Sequence, residues 1–330
     1  MVLLHNVSVK WIFSIFDIYF IDMTFTLLQI AVFAAVARQE SVSRAAEALA
    51  MSQSATSTAL GELERQYDAQ LFDRVGKKLH LNELGQALLP QAIDLLERAD
   101  ALESQLQGRA GFGRLRIGAT LTIGNYLATL IVADFLKRHP EGEIALEVHN
   151  TQTIVDQIVR YELDLGLIEG SCRHPDLIVE PWVADELVVF CAPGHPLADV
   201  RSATLAELAS ESWIVREAGS GTRATLDQAW RHHHAEFKVR LELEHTEAIK
   251  RAVEFGLGIG CISRLALREA FRRGSLVAIE TPELDLRRSF HFLRHRRKFQ
   301  TAGMREFMVL CRAMTAGVRR SDEIAQTFIP

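Results

Sequence analysis

The sequence predicts an α/β chain in three successive parts: a small helical head, one long helix, and a larger region of alternating strands and helices. Three observations carry this. Apolar residues recur at helical spacing in short runs between Thr24 and Tyr67; a seam of leucine and alanine follows from Asn82 to about Gln107; and from Arg114 onward the pattern reads strand, helix, strand, twice over. At 330 residues the chain suits about two or three globular units. Hydrophobic residues at 48% and charged residues at 24% exclude a disordered or fibrous protein.

Net charge is -5 and the pI about 6.2, so the molecule as a whole repels nucleic acid weakly and any such site must be a local patch. Cys172, Cys191, Cys261 and Cys311 form no CxxC pair and no Cys/His spacing suited to zinc. They read as reduced thiols of a cytoplasmic protein, with a redox role for Cys172 or Cys191 as the alternative. The stretch before Met23 is apolar, but its run from Trp11 to Ile21 is about half a bilayer span and holds Asp17. It lacks a cleavage site of small residues. We read residues 1–22 as a leader outside the native protein, with translation starting at Met23, and expect no membrane association.

In the head, TFTLLQIAVFAAVAR places Phe25, Leu28, Val32, Ala35 and Val36 on one helical face. Ser41 caps a second, short helix whose inward residues are Ala45, Ala46 and Leu49. A third helix, QSATSTALGELERQY, turns Ala55, Ala59, Leu60 and Leu63 inward and leaves Gln53, Ser54, Thr56, Ser57 and Thr58 mostly outward near its start. Two helices on a tight turn, the second offering short hydrogen-bonding side chains, follow the helix-turn-helix plan. Gln can pair with adenine, and Ser and Thr can bond bases or phosphates. Arg74, Lys77 and Lys78 around Gly76, then the alternating Leu79, His80 and Leu81, predict a two-stranded wing whose cations lie where a nucleic-acid backbone would run. A small helical domain with a solvated hairpin is the alternative.

The run SVSRAAEALAMSQSATSTALGELE, followed by LFDRVGKKLHLN, resembles the winged helix-turn-helix of LysR-type transcriptional regulators, and the likeness extends from about Met23 to Thr315. Carried over by position, the resemblance makes Gln53, Ser54, Thr56 and Ser57 recognition-helix residues, Arg44 the start of the preceding helix and Arg74 part of the wing. Tyr67-Asp68 replaces the usual apolar-Gly turn, where Asp can adopt a left-handed conformation. Asn82 stands where Thr is frequent and remains a competent cap. The head therefore spans 23–81.

From 82 to 108, Leu84, Leu88, Ala92, Leu95, Ala99, Leu102 and Leu106 recur at spacings of three and four, a narrow seam suited to a partner helix. About 25 helical residues span roughly 38 Å, with a bend expected at Pro90. In the family such helices pair, which implies a homodimer or homotetramer. Residues 108–113, GRAGFG, read as a hinge.

From 114 to 320, RLRIGATL, a helix over 122–139, EIALEVHN, a helix over 151–162 and DLGLIEG make one βαβαβ series; a second runs from about Leu187 to LGIGCIS. Apolar passages near 177–181 and 276–286 suggest a double crossover. The resemblance implies the same: two lobes of a periplasmic-binding-protein-like type 2 fold, lobe I about 114–177 and 286–320 and lobe II about 178–285, with the ligand between them. Four helix starts point toward strand C-terminal ends: Thr120 to Thr122, Asn150-Thr151, Ser220 to Thr222, and Thr246. Opposed helix N-termini make an anion site, and Arg223 adds charge. Four ordinary helix caps are the alternative.

TIGNYL, DLGLIEG with Glu169, and REAGSGTR are similar to a CysL/YeiE-like subgroup associated with cysteine and sulfite metabolism, although Ala218 stands where those sequences often have Pro. The resemblance implies a small sulfur oxyanion as effector, with a small organic carboxylate next. The effector set is thus Thr120, Thr122, Asn150, Thr151, Glu169, Ser220, Thr222, Arg223 and Thr246. Double-stranded promoter DNA is the expected partner. No cofactor, metal or catalytic residue is expected: GLGIG lacks the context of a dinucleotide loop, His232 to His234 point in different directions on one helix, and Ser220 lacks the strand-turn setting of a nucleophile elbow. A solute-binding or enzymatic protein that does not bind DNA is the remote alternative.

Overall fold

The computed structural model describes residues 24–76, 78–106 and 114–324. The leader, Lys77 and the hinge over 108–113 lie outside the described residues. The chain divides into two compact units between Leu96 and Glu97.

The first unit begins with α1 (Leu27–Gln39), whose entry is fixed by Thr26: its hydroxyl accepts from the Gln29 backbone while the Gln29 side chain reaches back to the Thr26 N-H. This capping box satisfies two orphan donors at once and explains why Gln29 is buried. The helix is rotated relative to the expected face, with Phe33 buried and Leu28 53% exposed. Ser41 caps α2 (Val42–Ala48) and Ser52 caps α3 (Gln53–Gln66), each through its hydroxyl. Val32, Phe33, Val36, Ala45, Leu60, Leu63, Leu71 and Phe72 close the core between them. Asp68 takes the left-handed φ of 48° after α3. The wing is β1 (Phe72–Val75) paired antiparallel with β2 (Lys78–Leu81), Gly76 turning the chain at φ 64°. Asn82 then receives the Gly85 N-H at 2.8 Å, which starts α4 (Glu83–Leu106). That helix continues through Pro90.

The second unit carries strands in the spatial order 143–149, 114–120, 165–169, 287–295, 177–191, 259–263, 212–216 and 238–243, with 277–279 beside 177–191. β3 (Arg114–Thr120), β4 (Glu143–His149) and β5 (Leu165–Glu169) run parallel, as do β7 (Ser212–Arg216), β8 (Lys238–Leu243) and β9 (Ile259–Ser263). Joining the two sets is β6 (Leu177–Cys191), about 50 Å long at 3.3 Å per residue. Its first ten residues, to Glu186, pair with β11 (Arg287–His295), whereas Leu187 onward pairs with β9 and β10 (Val277–Ile279). One strand thus serves both lobes.

Helices cover both faces of each lobe. Lobe I uses the helix over 121–138 (α5), which includes a π turn at Gly124–Ala128, α6 (Thr151–Val159) and α11 (Ala302–Met314). Its core joins Ile117, Phe135, Phe290, Phe292 and Phe307. Lobe II uses α7 (Leu205–Ser210), α8 (Gly221–His232), α9 (Thr246–Glu254) and α10 (Arg264–Arg273). On one of its faces Trp213 and Trp230 meet edge to face at 5.8 Å beside Phe237, and on the other Phe190, Ile214, Ile249 and Val253 pack together. GLGIG ends α9 and enters β9.

Candidate functional site

In the head, Gln53, Ser54, Ser57 and Thr58 are exposed on the first turns of α3. Thr56 is not. It is 0% exposed, and its hydroxyl donates to the Ser52 carbonyl at 3.0 Å, so the expectation that it faces outward is corrected: it takes the inward slot, and Ala55, expected inward, is exposed. The period of 3.6 residues puts Thr56, Ala59, Leu60 and Leu63 on the buried stripe. Arg44 is exposed and donates to the Gln39 carbonyl. Arg74 is exposed on β1. Lys78 lies 3.5 Å from Glu40, which also sits 3.3 Å from His80, so part of the wing's charge is answered within the chain.

In the second unit three of the four predicted helix starts meet, those at Thr122, Thr151 and Thr222. Thr120 stands at the N-cap position of α5 at the end of β3 without capping it through its side chain; its hydroxyl donates instead to the Leu167 carbonyl at 3.5 Å. Asn150 caps α6 by accepting the Thr153 N-H at 3.0 Å. The start of α6 in lobe I meets the start of α8 in lobe II: the Gly221 N-H donates to the Thr151 hydroxyl at 3.1 Å, and the Gln152 N-H donates to the Gly219 carbonyl at 3.2 Å. Gly221 is required there. A Cβ would lie 2.1 Å from the Glu169 carbonyl oxygen.

Glu169, at the end of β5, bridges the lobes. Its carboxylate accepts the Thr122 N-H at 2.9 Å and the Thr222 hydroxyl at 3.0 Å, and lies 2.8 Å from the Arg288 guanidinium. Burial by itself would raise its pKa, but Arg288, Thr122, Arg216 and Thr222 hold it down to about 2. The chain's own anion thus occupies the α5 N-terminus. Arg288 also donates to the Thr222 hydroxyl at 3.0 Å and to Asp185 at 2.7 Å, and Asp185 accepts from Ser263 and Ser321.

Arg223 brings no free charge to the cleft. It donates to Asp227 at 2.8 Å and to Glu242 at 3.0 Å, and also to the Arg216 carbonyl; Arg216 in turn pairs with Glu217. Ser220 and Thr246 are both buried at helix starts, and among the described residues neither hydroxyl makes a hydrogen bond to another described group.

Several groups of the site escaped the sequence reading. Arg288 had a signal: it alternates with Phe290 and Phe292 on β11 and so takes the buried register. Tyr126 and Lys250 had none. Tyr126 donates to Glu247 at 2.5 Å from lobe I, and Lys250 of α9 lies beside both. Burial pushes the thiols up, Cys191 to about 11 and Cys261 to about 12, and so disfavours the thiolate that redox chemistry needs.

A winged head with a polar helix face, and two lobes whose helix starts meet at a buried polar cluster, define a ligand-responsive DNA-binding regulator. Residues 27–86 match the bacterial regulatory helix-turn-helix protein, lysR family, and residues 108–316 match the LysR substrate binding domain. The chain belongs to the LysR family of transcriptional regulators, which are not enzymes. It is similar to the HTH-type transcriptional regulator YeiE of Escherichia coli, at 42% identity over 289 residues that cover 88% of this chain and 98% of that protein. CysL of Bacillus subtilis is 27% identical over 263 residues, covering 79% and 88% of the two chains. The Synechocystis CcmR regulatory domain in complex with 2-PG superposes with a TM-score of 0.59 at 29% identity, covering 62% of this chain and 99% of that one. Among the described residues no helix is long and apolar enough to cross a membrane.

Proposed function

We propose that this regulator is controlled by a small anion bound between its lobes, a sulfur oxyanion such as sulfite, and that binding changes the angle of the lobes and the spacing of paired DNA-binding heads. The observation that carries the anion is the meeting of three helix starts, those of α5, α6 and α8, with buried Ser220 at one of them and buried Thr246 at the start of α9, neither hydroxyl having a hydrogen-bond partner among the described residues. The sulfur oxyanion is supported by the similarity to YeiE and CysL together with the TIGNYL and REAGSGTR runs. The complex of CcmR with 2-PG favours a second reading, in which the ligand is another small anion.

DNA contact is assigned to Gln53, Ser54 and Ser57 for bases and to Arg44, Arg74 and Lys78 for backbone, without Thr56. Pairing through α4 is supported by the exposure of Leu84, Leu95, Leu102 and Leu106. Within the first unit, a 410 Å³ groove lined by Phe25, Ile30, Tyr67, Leu88 and Leu95 extends that apolar seam.

Thermal unfolding of the full chain against sulfite, sulfate, thiosulfate and a set of carboxylates at fixed ionic strength tests the reading. A ligand at 100 times its dissociation constant adds about 2.7 kcal/mol. We expect one oxyanion to raise the melting temperature selectively and Ser220→Ala to remove the shift. A flat panel would overturn the anion reading.

A further inference from the structure

The strongest unexplained group near the cleft is Lys250. Its ammonium is almost enclosed, with the side chain 10% exposed, and it meets the Glu247 carboxylate at 2.5 Å, the Ala266 carbonyl at 3.1 Å and the Tyr126 hydroxyl at 3.3 Å. Among the described residues Glu247 is the only carboxylate within 4.0 Å of it. The two partners differ sharply in confinement. Glu247 is 63% exposed, so water can solvate its carboxylate if it turns away, whereas the lysine is packed among Ala266 and Tyr126. A buried cation needs a counterion, and Glu247 supplies it from the solvent side while also accepting the Tyr126 hydroxyl.

Lys250 lies one turn into α9, four residues after the buried Thr246 at its start and on the same face, and Tyr126 reaches it from lobe I. A negative group arriving at the α9 N-terminus would meet the enclosed ammonium on the same helix. Resting on the proposal that the effector is an anion held between the lobes, we infer that Lys250 is the charge that recognises it and that Glu247 is the resident counterion it gives up. Since Glu247 also accepts the Tyr126 hydroxyl at 2.5 Å, that exchange releases one bond between the lobes. Ligand entry and lobe movement are then the same event.

Calorimetric titration of the full-length protein with sodium sulfite tests this, with melting of each unliganded variant recorded alongside. Glu247→Gln removes the competing charge and is expected to tighten sulfite binding about tenfold, while Lys250→Met is expected to weaken it about tenfold or more. The double variant Glu247→Gln/Lys250→Met leaves no unpaired buried charge, so it keeps the test valid should Lys250→Met alone fail to fold; it is expected to bind as weakly as the lysine variant. Binding that survives loss of Lys250, or that weakens in Glu247→Gln, overturns the assignment while leaving the anion reading intact. No heat from sulfite in either the native chain or Glu247→Gln overturns the assignment together with the sulfite reading on which it rests.

Discussion

The head and the effector unit keep their polar groups in opposite conditions. On α3, Gln53, Ser54 and Ser57 stand in solvent with short side chains, whereas Glu169, Thr222, Arg288 and Asp185 are buried and bonded to one another. An exposed set is available to a partner at once and costs the fold little if changed. A buried set must first satisfy itself, because an unpaired charge in the interior costs several kcal/mol. A side chain's contribution to stability and its contribution to recognition therefore separate by region: the cleft holds the lobes together, and the head spends its polar groups on outside contacts.

The largest test of that contrast is Arg288→Met, which strands Glu169 and Asp185; we expect a loss of about 3–5 kcal/mol in urea unfolding, partly recovered in the double variant with Glu169→Gln. The same carboxylate fixes an acid limb. Its folded pKa of about 2 lies below the usual 4.5, so its contribution is present above about pH 4.5 and is lost as pH falls toward 2; a flat melting temperature across that window would contradict the ionised pairing. Next in size, Gln53→Ala is expected to cost about 1–3 kcal/mol of operator affinity without changing the salt slope, and Arg74→Ala to lower that slope by about 1. Equal losses on random and operator DNA for both would erase the division between base and backbone contacts. The smallest effect sharpens the boundary inside α3 itself: Thr56→Val should cost about 1 kcal/mol of stability through its bond to Ser52 and leave DNA affinity unchanged in a binding titration.

Periodicity made the three head helices, the wing and both parallel series readable, since each element repeats its own spacing, and Ser41 and Asn82 marked where two of the helices open. Where the reading slipped, neighbours decided. Thr56 and Ala55 are adjacent in sequence, about 100° apart around α3, and small residues carry too little hydrophobic contrast to say which turns inward. Leu28 yields its place to Phe33 because the Thr26–Gln29 cap sets the rotation of α1. In the cleft, the positions of the helix starts followed from the strand order, but their state did not. That Glu169 answers Thr122 and Thr222, and that Asp227 and Glu242 claim Arg223, depends on residues 19 to 53 positions apart or on a single helical turn, and local spacing cannot rank such competitors. Tyr126 and Glu247, 121 residues apart, meet only because the lobes fold toward each other.

The route of β6 has a consequence for how such a chain is put together. Glu186 and Arg287 are direct partners across antiparallel strands, and such partners lie about 4.5–5.5 Å apart. Everything between them, the whole of the second sheet with its four helices, leaves and returns at nearly one point. In genetic terms that segment is an insertion with a single seam, so a short turn spliced between Glu186 and Arg287 would give a reading frame that encodes the first lobe as a continuous sheet.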